Sequence, residues 1–362
     1  MGVLEIVKQP WAWVCWLVAV LLILSVTRNP FYLVLILLCV LFVGVSLRQA
    51  GAELPGPFSL WKLAGWIILL ATLFNMATSH YGTTILFTLP GKLPLVSGNV
   101  TVEALVYGAT NGLVLTGMLA SFTVLNLALP VRDLIHLIPR AFYPLAVVTS
   151  IAVTYLPTTL RQFRQIREAQ AVRGHQMRSI RDWLPLLMPL LVGGLEHAMQ
   201  LAEAMTARGF ASTKFPSGSQ QIYPRLVMLC GLVLLSLGWV VQLSRLQWAG
   251  LVLIIMGILL ILGGLWISGR QTPRSTYHRH SWTWQDWLTM LVTVVILLSC
   301  LLPWNGLGNR TLDYEPYPSL SLPPFSPVLG LALIGLILPG LLAMHRNPDT
   351  SLGGNSLKER GN

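Results

Sequence analysis

Two copies of one short motif carry the most specific chemistry in this sequence of 362 residues. Residues 168–174 read Glu-Ala-Gln-Ala-Val-Arg-Gly and residues 203–209 read Glu-Ala-Met-Thr-Ala-Arg-Gly, so both follow Glu-Ala-x-x-x-Arg-Gly. Arg173 and Arg208 carry planar guanidinium groups, which bind carboxylates or helix-end carbonyl groups of another protein. The repeated motif therefore indicates recognition of a protein surface.

Each motif is predicted to lie at the end of an amphipathic helix. Glycine adopts the left-handed conformation that ends helices, as expected for Gly174 and Gly209, and an arginine in the last turn complements the negative end of the helix dipole. Two capped helices whose arginines serve only the dipole, or a lipid phosphate, remain an alternative. Apolar residues at helical spacing precede the motifs, namely Leu156, Leu160, Phe163 and Ile166, then Leu195, Met199, Ala202 and Met205.

Composition excludes a soluble domain and a disordered chain. Hydrophobic residues make up 54% of the sequence, charged residues only 10%, and the mean hydropathy is +0.67. The net charge of +11 is expected for a membrane protein, because its cytoplasmic loops are enriched in Lys and Arg. No basic domain with interspersed aromatic residues suggests nucleic-acid binding. The prediction is an all-α, polytopic helical membrane protein in contact with lipid.

Eight charge-free stretches are predicted to span the membrane. Two further apolar pieces, 143–156 and 183–195, are shorter than a bilayer requires and are predicted to be buried or interfacial helices. Residues 80–102 are predicted to form an exposed loop. The predicted spans are about 11–27, 31–47, 63–79, 104–129, 226–243, 248–267, 287–302 and 328–344.

This pattern predicts four segments: an N-terminal transmembrane domain (1–129), a coupling-helix module (130–222), C-terminal spans (223–345) and a polar tail (346–362). The coupling-helix module is rich in arginine, which places it and both termini in the cytoplasm. The loop 305–325 is then outside, and Arg28 and Lys92 are the exceptions to the charge rule.

The sequence contains no motif for catalysis. GxxxxGK[ST], HExxH and GxSxG are absent, and the predicted spans contain no Asp, Glu, Lys or Arg. Five of the histidines lack the spacing to further ligands that a metal site requires, and the four cysteines lie inside apolar stretches. We therefore expect no cofactor, no metal site and no enzymatic activity. These five histidines are His136, His175, His197, His278 and His280.

Around the two motifs the sequence resembles the transmembrane T component of energy-coupling factor (ECF) transporters, the family that includes the cobalt-importer transmembrane protein. Ala207, Arg208 and Gly209 match the Ala-Arg-Gly motif found at the tips of the family's coupling helices. In the first motif Val172 replaces the alanine. Its remaining residues, Ala169, Gln170, Arg173 and Gly174, fit the usual Ala-Gln-x-x-Arg-Gly context.

The resemblance implies a subunit of a vitamin or transition-metal importer in a prokaryotic cell membrane. Two ATP-binding cassette subunits would hydrolyse ATP, and a separate S component would bind the substrate. Arg173 and Arg208 would each sit in a groove of one ATPase, supported by their coupling helices. The supporting helix residues are Glu168, Ala169, Gln170, Glu203 and Ala204. The family usually has about one span after the second motif, whereas four are predicted here.

Two other classes remain open. The permease of a conventional ABC importer carries one cytoplasmic Glu-Ala-Ala loop; Glu168 and Ala169 begin such a match, but its later part fails and a second copy is unexpected. A secondary transporter, with arginines that only set topology, would carry charges or broken helices at mid-membrane in both halves. Neither feature is evident in the sequence.

Overall fold

The computed structural model describes residues 9–49, 60–79, 82–89, 98–135, 137–139, 142–174, 180–210, 218–242, 247–270, 282–301, 309–317 and 321–344. Within these residues, six helices are long and apolar enough to cross a membrane, and three further apolar helices are shorter. Each of the eight predicted spans corresponds to helical structure. The predicted all-α, polytopic membrane fold is therefore confirmed.

The chain forms two compact units. One comprises Met1–Pro130 together with Arg279–Asn362, and the other comprises Val131–His278. The division of the sequence into four segments stays a prediction. The last two predicted spans belong with the four N-terminal ones, whereas the fifth and sixth belong with the coupling helices.

Four helices form the N-terminal part of the first unit. Proline stands at the start of α1 and of α2, where its missing N–H costs nothing. Gly108 and Gly112 let α4 approach α3 closely, since added Cβ atoms would lie 2.7 and 2.8 Å from backbone Cα atoms of α3. The helices are α1 (Pro10–Val26), α2 (Pro30–Gln49), α3 (Leu60–Thr78) and α4 (Val102–Ala128).

The prediction of an exposed loop at 80–102 is wrong for the residues of this stretch that the structure describes. Strand β1 (Ile85–Leu89) pairs antiparallel with β2 (Gly98–Thr101), and α4 follows directly. Glu103, in the first turn of α4, is fully buried, and its Oε1 accepts hydrogen bonds from the N–H groups of Thr83 and Thr84 and from the Thr83 hydroxyl. Short strands and Gly/Pro-rich flanks obscured this hairpin in the sequence.

The C-terminal helices complete the first unit by packing on α1 and α2. The indole N–H of Trp16 in α1 donates a 3.1 Å hydrogen bond to the carbonyl of Leu336. A Cβ added at Gly340 would lie 3.0 Å from the Cα of Val43, so the last helix and α2 touch through their backbones. The C-terminal elements are α10 (Trp284–Leu301), α11 (Asn309–Leu312), α12 (Pro327–Ile334), a 3-10 turn (Gly335–Ile337) and α13 (Leu338–Met344).

The second unit holds the coupling helices and a hairpin of two apolar helices. In the hairpin, glycines face each other across the helices: Gly231 meets Gly257, and Gly238 meets Gly250. The outward side chains are large and apolar and are exposed, as expected for a surface that meets lipid. The elements are α5 (Val131–Ile135), α6 (Tyr143–Val172), a 3-10 turn (Ile180–Trp183), α7 (Leu184–Ala207), α8 (Gly218–Gln242) and α9 (Gln247–Arg270).

Candidate functional site: two arginines at helix tips

Helices α6 and α7 each join an apolar first half to a polar second half. The sequence suggested apolar pieces of about 14 and 13 residues, but the structure has continuous helices of 30 and 24 residues. Pro157 and Pro189 lie inside these helices without ending them. Each motif therefore forms the last turn of a long helix and stands well away from its apolar half.

The first helix ends at its motif with the predicted geometry. Val172 is the last helical residue, and Arg173 follows with φ −78° and ψ 4°. Gly174 then adopts a left-handed conformation with φ +82°, and its N–H donates a 2.9 Å hydrogen bond to the carbonyl of Ala171. This conformation turns the chain away from the helix axis directly after the arginine.

The second motif repeats this arrangement closely. Ala207 ends the helix, Arg208 has φ −81° and ψ 4°, and Gly209 has φ +77°. The N–H of Gly209 donates to the carbonyl of Thr206 over 2.9 Å, and the N–H of Arg208 donates to that of Ala204 over 3.2 Å. The expectation that both glycines would be left-handed is confirmed.

Both motifs are open to their surroundings. Arg173 and Arg208 are exposed, and Val172, which replaces the alanine of the first motif, is 90% exposed. Gln170 and Gly209 are partly covered. Because most of these side chains pack against nothing within their own unit, burial in this chain does not explain the repeated sequence. The remaining motif residues, all exposed, are Glu168, Ala169, Gly174, Glu203, Ala204 and Ala207.

Two aromatic contacts fix the relative course of α6 and α7. The ring of Tyr155 in α6 stacks on that of His197 in α7, with centroids 4.8 Å apart and planes inclined by 11°. Further along α6, Phe163 stacks on Trp183, the residue before α7, with centroids 6.3 Å apart. Residue numbers rise along one helix while they fall along the other, so the helices run antiparallel.

The antiparallel course places the two arginines at opposite ends of the helix pair. At 1.5 Å per residue, Arg173 lies about 27 Å beyond Tyr155 along α6, and Arg208 lies about 16 Å beyond His197 along α7. The arginines are thus separated by up to about 43 Å. Two guanidinium groups that far apart can bind two separate surfaces but not one carboxylate together.

The apolar stripes of α6 and α7 also lack a cover within their unit. Leu156 and Leu160 are 59% and 50% exposed, and Leu195 and Met199 are 65% and 59% exposed. Phe163, Ile166 and Met205 are partly covered. The predicted amphipathic pattern is present, but its apolar side faces outwards and is available to lipid or to a partner protein.

Comparison with known proteins identifies the family. The CbiQ family model, described as cobalt transport protein, matches residues 5–217, more than half of the chain. The chain belongs to the CbiQ family. The match ends before α8, so the described helices α8 to α13 of this CbiQ-family chain lie beyond it.

Individual relatives agree with this assignment. The chain is 29% identical over 247 residues to the energy-coupling factor transporter transmembrane protein EcfT of Acidaminococcus fermentans, covering 60% of this chain and 87% of the relative. It is 25% identical over 230 residues to EcfT 1 of Listeria monocytogenes, covering 56% and 81%. A shorter match to EcfT of Leuconostoc gelidum has 28% identity over 171 residues, covering 42% and 62%.

Sequence reasoning missed two features of this CbiQ-family chain, an aromatic pair between distant residues and two buried carboxylates. His197, which has no partner in sequence, stacks on a tyrosine 42 positions away, a pairing that no local pattern signals. Glu103 and Asp286 lie in the first turns of α4 and α10 and are fully buried, so those helices begin earlier than their charge-free stretches. Among the described residues, no group of three His, Cys, Asp or Glu side chains is placed to hold a metal ion.

Proposed function

We propose that this protein is the coupling subunit of an ECF-type importer, transmitting ATP-driven motion from two ATPase subunits to a substrate-binding S component. Membership of the CbiQ family and similarity to EcfT proteins support this role. The proposed cargo is a vitamin or a transition-metal ion. The membrane is the prokaryotic cell membrane, with both termini in the cytoplasm.

The repeated helix tip is the observation that carries the proposal. Two exposed arginines with matching backbone angles stand at opposite ends of an antiparallel helix pair. We infer that each guanidinium binds a groove of one ATPase subunit, where its planar set of donors forms paired hydrogen bonds. Motion of the two ATPases would then move α6 and α7 together, because aromatic residues of the two segments stack on each other.

The exposed apolar stripes of the coupling helices suit the other part of the proposed role, which is contact with the S component. Leu156, Leu160, Leu195 and Met199 form surfaces that their own unit leaves uncovered. We infer that these surfaces lie at the inner membrane boundary and support the S component. Helix α7 is apolar and long enough to span a membrane, yet it carries Glu196 and Glu203, which favour the interface.

The arginines are tested by capturing the complex from membranes. Loss of one partner of a buried, hydrogen-bonded charge pair costs about 2–5 kcal/mol, so Arg173→Ala or Arg208→Ala weakens ATPase binding by more than about tenfold. Two linked docking points support each other, so the double variant loses far more than either single one. Affinity capture of the tagged chain, with mass spectrometry of the co-purified ATPases, measures this.

Arg164→Ala is the matched control, because Arg164 is an exposed arginine on the same helix, outside the motif. It should recover both ATPases at the wild-type level. A double Arg173/Arg208 variant that is inserted normally and still captures both ATPases would show that the arginines serve only topology and the helix dipole. That result would favour a secondary transporter.

We propose further that the chain itself hydrolyses no ATP. The sequence contains no phosphate-binding loop, which ATP hydrolysis of the ATP-binding cassette type requires. The purified chain, shown by mass spectrometry to be free of partner subunits, should give the background rate of phosphate release. Hydrolysis above background in that preparation would contradict the proposal.

A further inference from the structure

A groove opens on the side of the first unit between α2 and α3, with α4 as its floor. Leu37, Leu41 and Val45 line it from α2, Ala64 from α3, and Ala120 from α4. The empty space between its walls measures about 740 Å³, part of which is open to the surroundings.

The wall of the groove is apolar along its length. Thr123 is one of two threonines in the lining, and its hydroxyl is already bonded to the carbonyl of Leu119 at 2.8 Å. The other, Thr116, is buried and has no hydrogen-bond partner in the described part of the chain. Apart from these threonines and one arginine, every lining residue is aliphatic or glycine. Such a surface suits a hydrocarbon chain.

Arg48 supplies the one charge in the lining. It lies in the last turn of α2, is exposed, and stands at one end of the groove. Along α2 the groove extends from Leu37 to Arg48, which is about 16 Å at 1.5 Å per residue. The hydrocarbon core is about 30 Å thick, so the groove covers one leaflet and ends where lipid headgroups lie.

We propose that this groove binds one anionic phospholipid of the leaflet next to Arg48. An acyl chain lies along the α2 and α4 walls, and the guanidinium of Arg48 binds the phosphate with charge-assisted hydrogen bonds. Basic residues at a membrane boundary attract anionic lipids in general. Here the groove is about as long as one leaflet is thick, so it also provides a defined binding site for an acyl chain of one lipid molecule.

The test measures lipid retention by the purified full-length chain. The protein is reconstituted in vesicles of equal phosphatidylglycerol and phosphatidylcholine, extracted in mild detergent, and examined by native mass spectrometry. The wild-type chain should retain one phosphatidylglycerol in preference to phosphatidylcholine. Arg48→Gln should reduce that preference about tenfold, because it removes the charge-assisted hydrogen bond to the phosphate.

Three further variants separate charge from shape. Arg48→Lys keeps a charge that binds phosphate and should keep most of the preference. Ala120→Phe fills the groove and should lower retention of both lipids. Arg28→Gln changes an exposed arginine at the opposite end of α2 and should leave retention unchanged.

Two outcomes would overturn the proposal. If Arg48→Gln retains phosphatidylglycerol with the wild-type preference, the arginine does not bind the headgroup. If wild type does not retain phosphatidylglycerol in preference to phosphatidylcholine, the groove is not a site for an anionic phospholipid. Because Arg48 is exposed, its substitution should leave the fold intact, and thermal unfolding of each variant checks this.

Discussion

Gly174 and Gly209 adopt the same left-handed backbone conformation, with φ +82° and +77°, each directly after an arginine at the end of a helix. A residue with a Cβ atom loses about 1–2 kcal/mol in this conformation. The two glycines therefore fix the direction in which the chain leaves each arginine. Their identity is as much a part of the site as the guanidinium groups are.

The first prediction is that Gly174→Ala weakens ATPase capture, although no side chain that binds a partner is removed. A Cβ at Gly174 would meet no atom of the described residues within 4 Å, so the effect is attributed to backbone strain. Gly174→Asn should be milder, because asparagine tolerates the left-handed region. Affinity capture of the ATPases, as used for the arginine variants, measures both.

Gly193→Ala is the control for this prediction. Gly193 lies inside α7, and its added Cβ would also meet no atom within 4 Å. Alanine favours a helix interior over glycine by about 0.5–1 kcal/mol, so this variant should capture the ATPases normally. Equal behaviour of Gly174→Ala and Gly193→Ala would show that the left-handed cap has no role in docking.

The sequence predicted the helices and their caps because these depend on local chemistry. Uncharged stretches of bilayer length gave the spans, and Arg-Gly at the end of an amphipathic pattern gave the left-handed caps at Gly174 and Gly209. The apolar pieces 143–156 and 183–195 are shorter than the helices that contain them, because hydropathy changes half-way along α6 and α7 while helical hydrogen bonding continues. Hydropathy indicates the environment of a helix, but it does not show at which residue the helix ends.

The sequence alone does not predict which residues far apart in the chain contact each other. Trp16 bonds to Leu336 and Tyr155 stacks on His197, and nothing in the neighbourhood of either residue marks its partner. For the same reason, the sequence does not show which spans pack together. The structure places the C-terminal spans in two different units.

The second prediction concerns Asn29, which ties the C-terminal part of the first unit to the turn between α1 and α2. Its side-chain N–H₂ donates to the carbonyl of Thr311 at 2.9 Å and to that of Pro324 at 2.7 Å. Its Oδ1 accepts from the N–H of Phe31, and the residue is fully buried. Asn29→Ala should therefore lower stability by about 1–3 kcal/mol, measured by thermal unfolding in detergent.

Thr27, two residues earlier, provides the contrast. Its hydroxyl is buried and has no hydrogen-bond partner in the described residues. Thr27→Val keeps the shape and removes a polar atom that is costly to bury, so its stability should be unchanged or higher. If Asn29→Ala unfolds at the wild-type temperature, the hydrogen bonds to the two carbonyls contribute nothing to stability.

The third prediction uses two glycines of α9 that meet different surroundings. A Cβ at Gly257 would lie 2.8 Å from the backbone carbonyl oxygen of Gly231 and 2.8 Å from the backbone nitrogen of Leu235, whereas one at Gly263 would meet nothing within 4 Å. Gly257→Ala should force α8 and α9 apart and cost about 1–3 kcal/mol. Gly263→Ala should be neutral or stabilising.

Protease resistance of the hairpin in the reconstituted full chain measures this difference. Gly257→Ala should be cut faster than wild type, and Gly263→Ala should be cut at the wild-type rate. Equal rates for the two variants would mean that the close backbone contact of α8 with α9 contributes nothing to the hairpin.

The last prediction is the orientation, with both termini in the cytoplasm. Leu322, in the stretch before α12, is 90% exposed, and Gln165 is an exposed polar residue on α6. Single cysteines at these positions are introduced into a background in which Cys15 and Cys230, the two cysteines that are not buried, are replaced by alanine. A membrane-impermeant maleimide applied to intact cells should label Leu322→Cys and leave Gln165→Cys unlabelled.

Disruption of the membrane should then make Gln165→Cys reactive, which shows that the site was protected by its side of the membrane and not by packing. The physical reason for the expected result is the distribution of arginine: the α6–α7 segment holds many of the basic residues, and such segments stay in the cytoplasm during insertion. Labelling of Gln165→Cys, but not of Leu322→Cys, on intact cells would invert the topology. The arginine tips would then face away from any cytoplasmic ATPase, and the proposed coupling role would be contradicted with it.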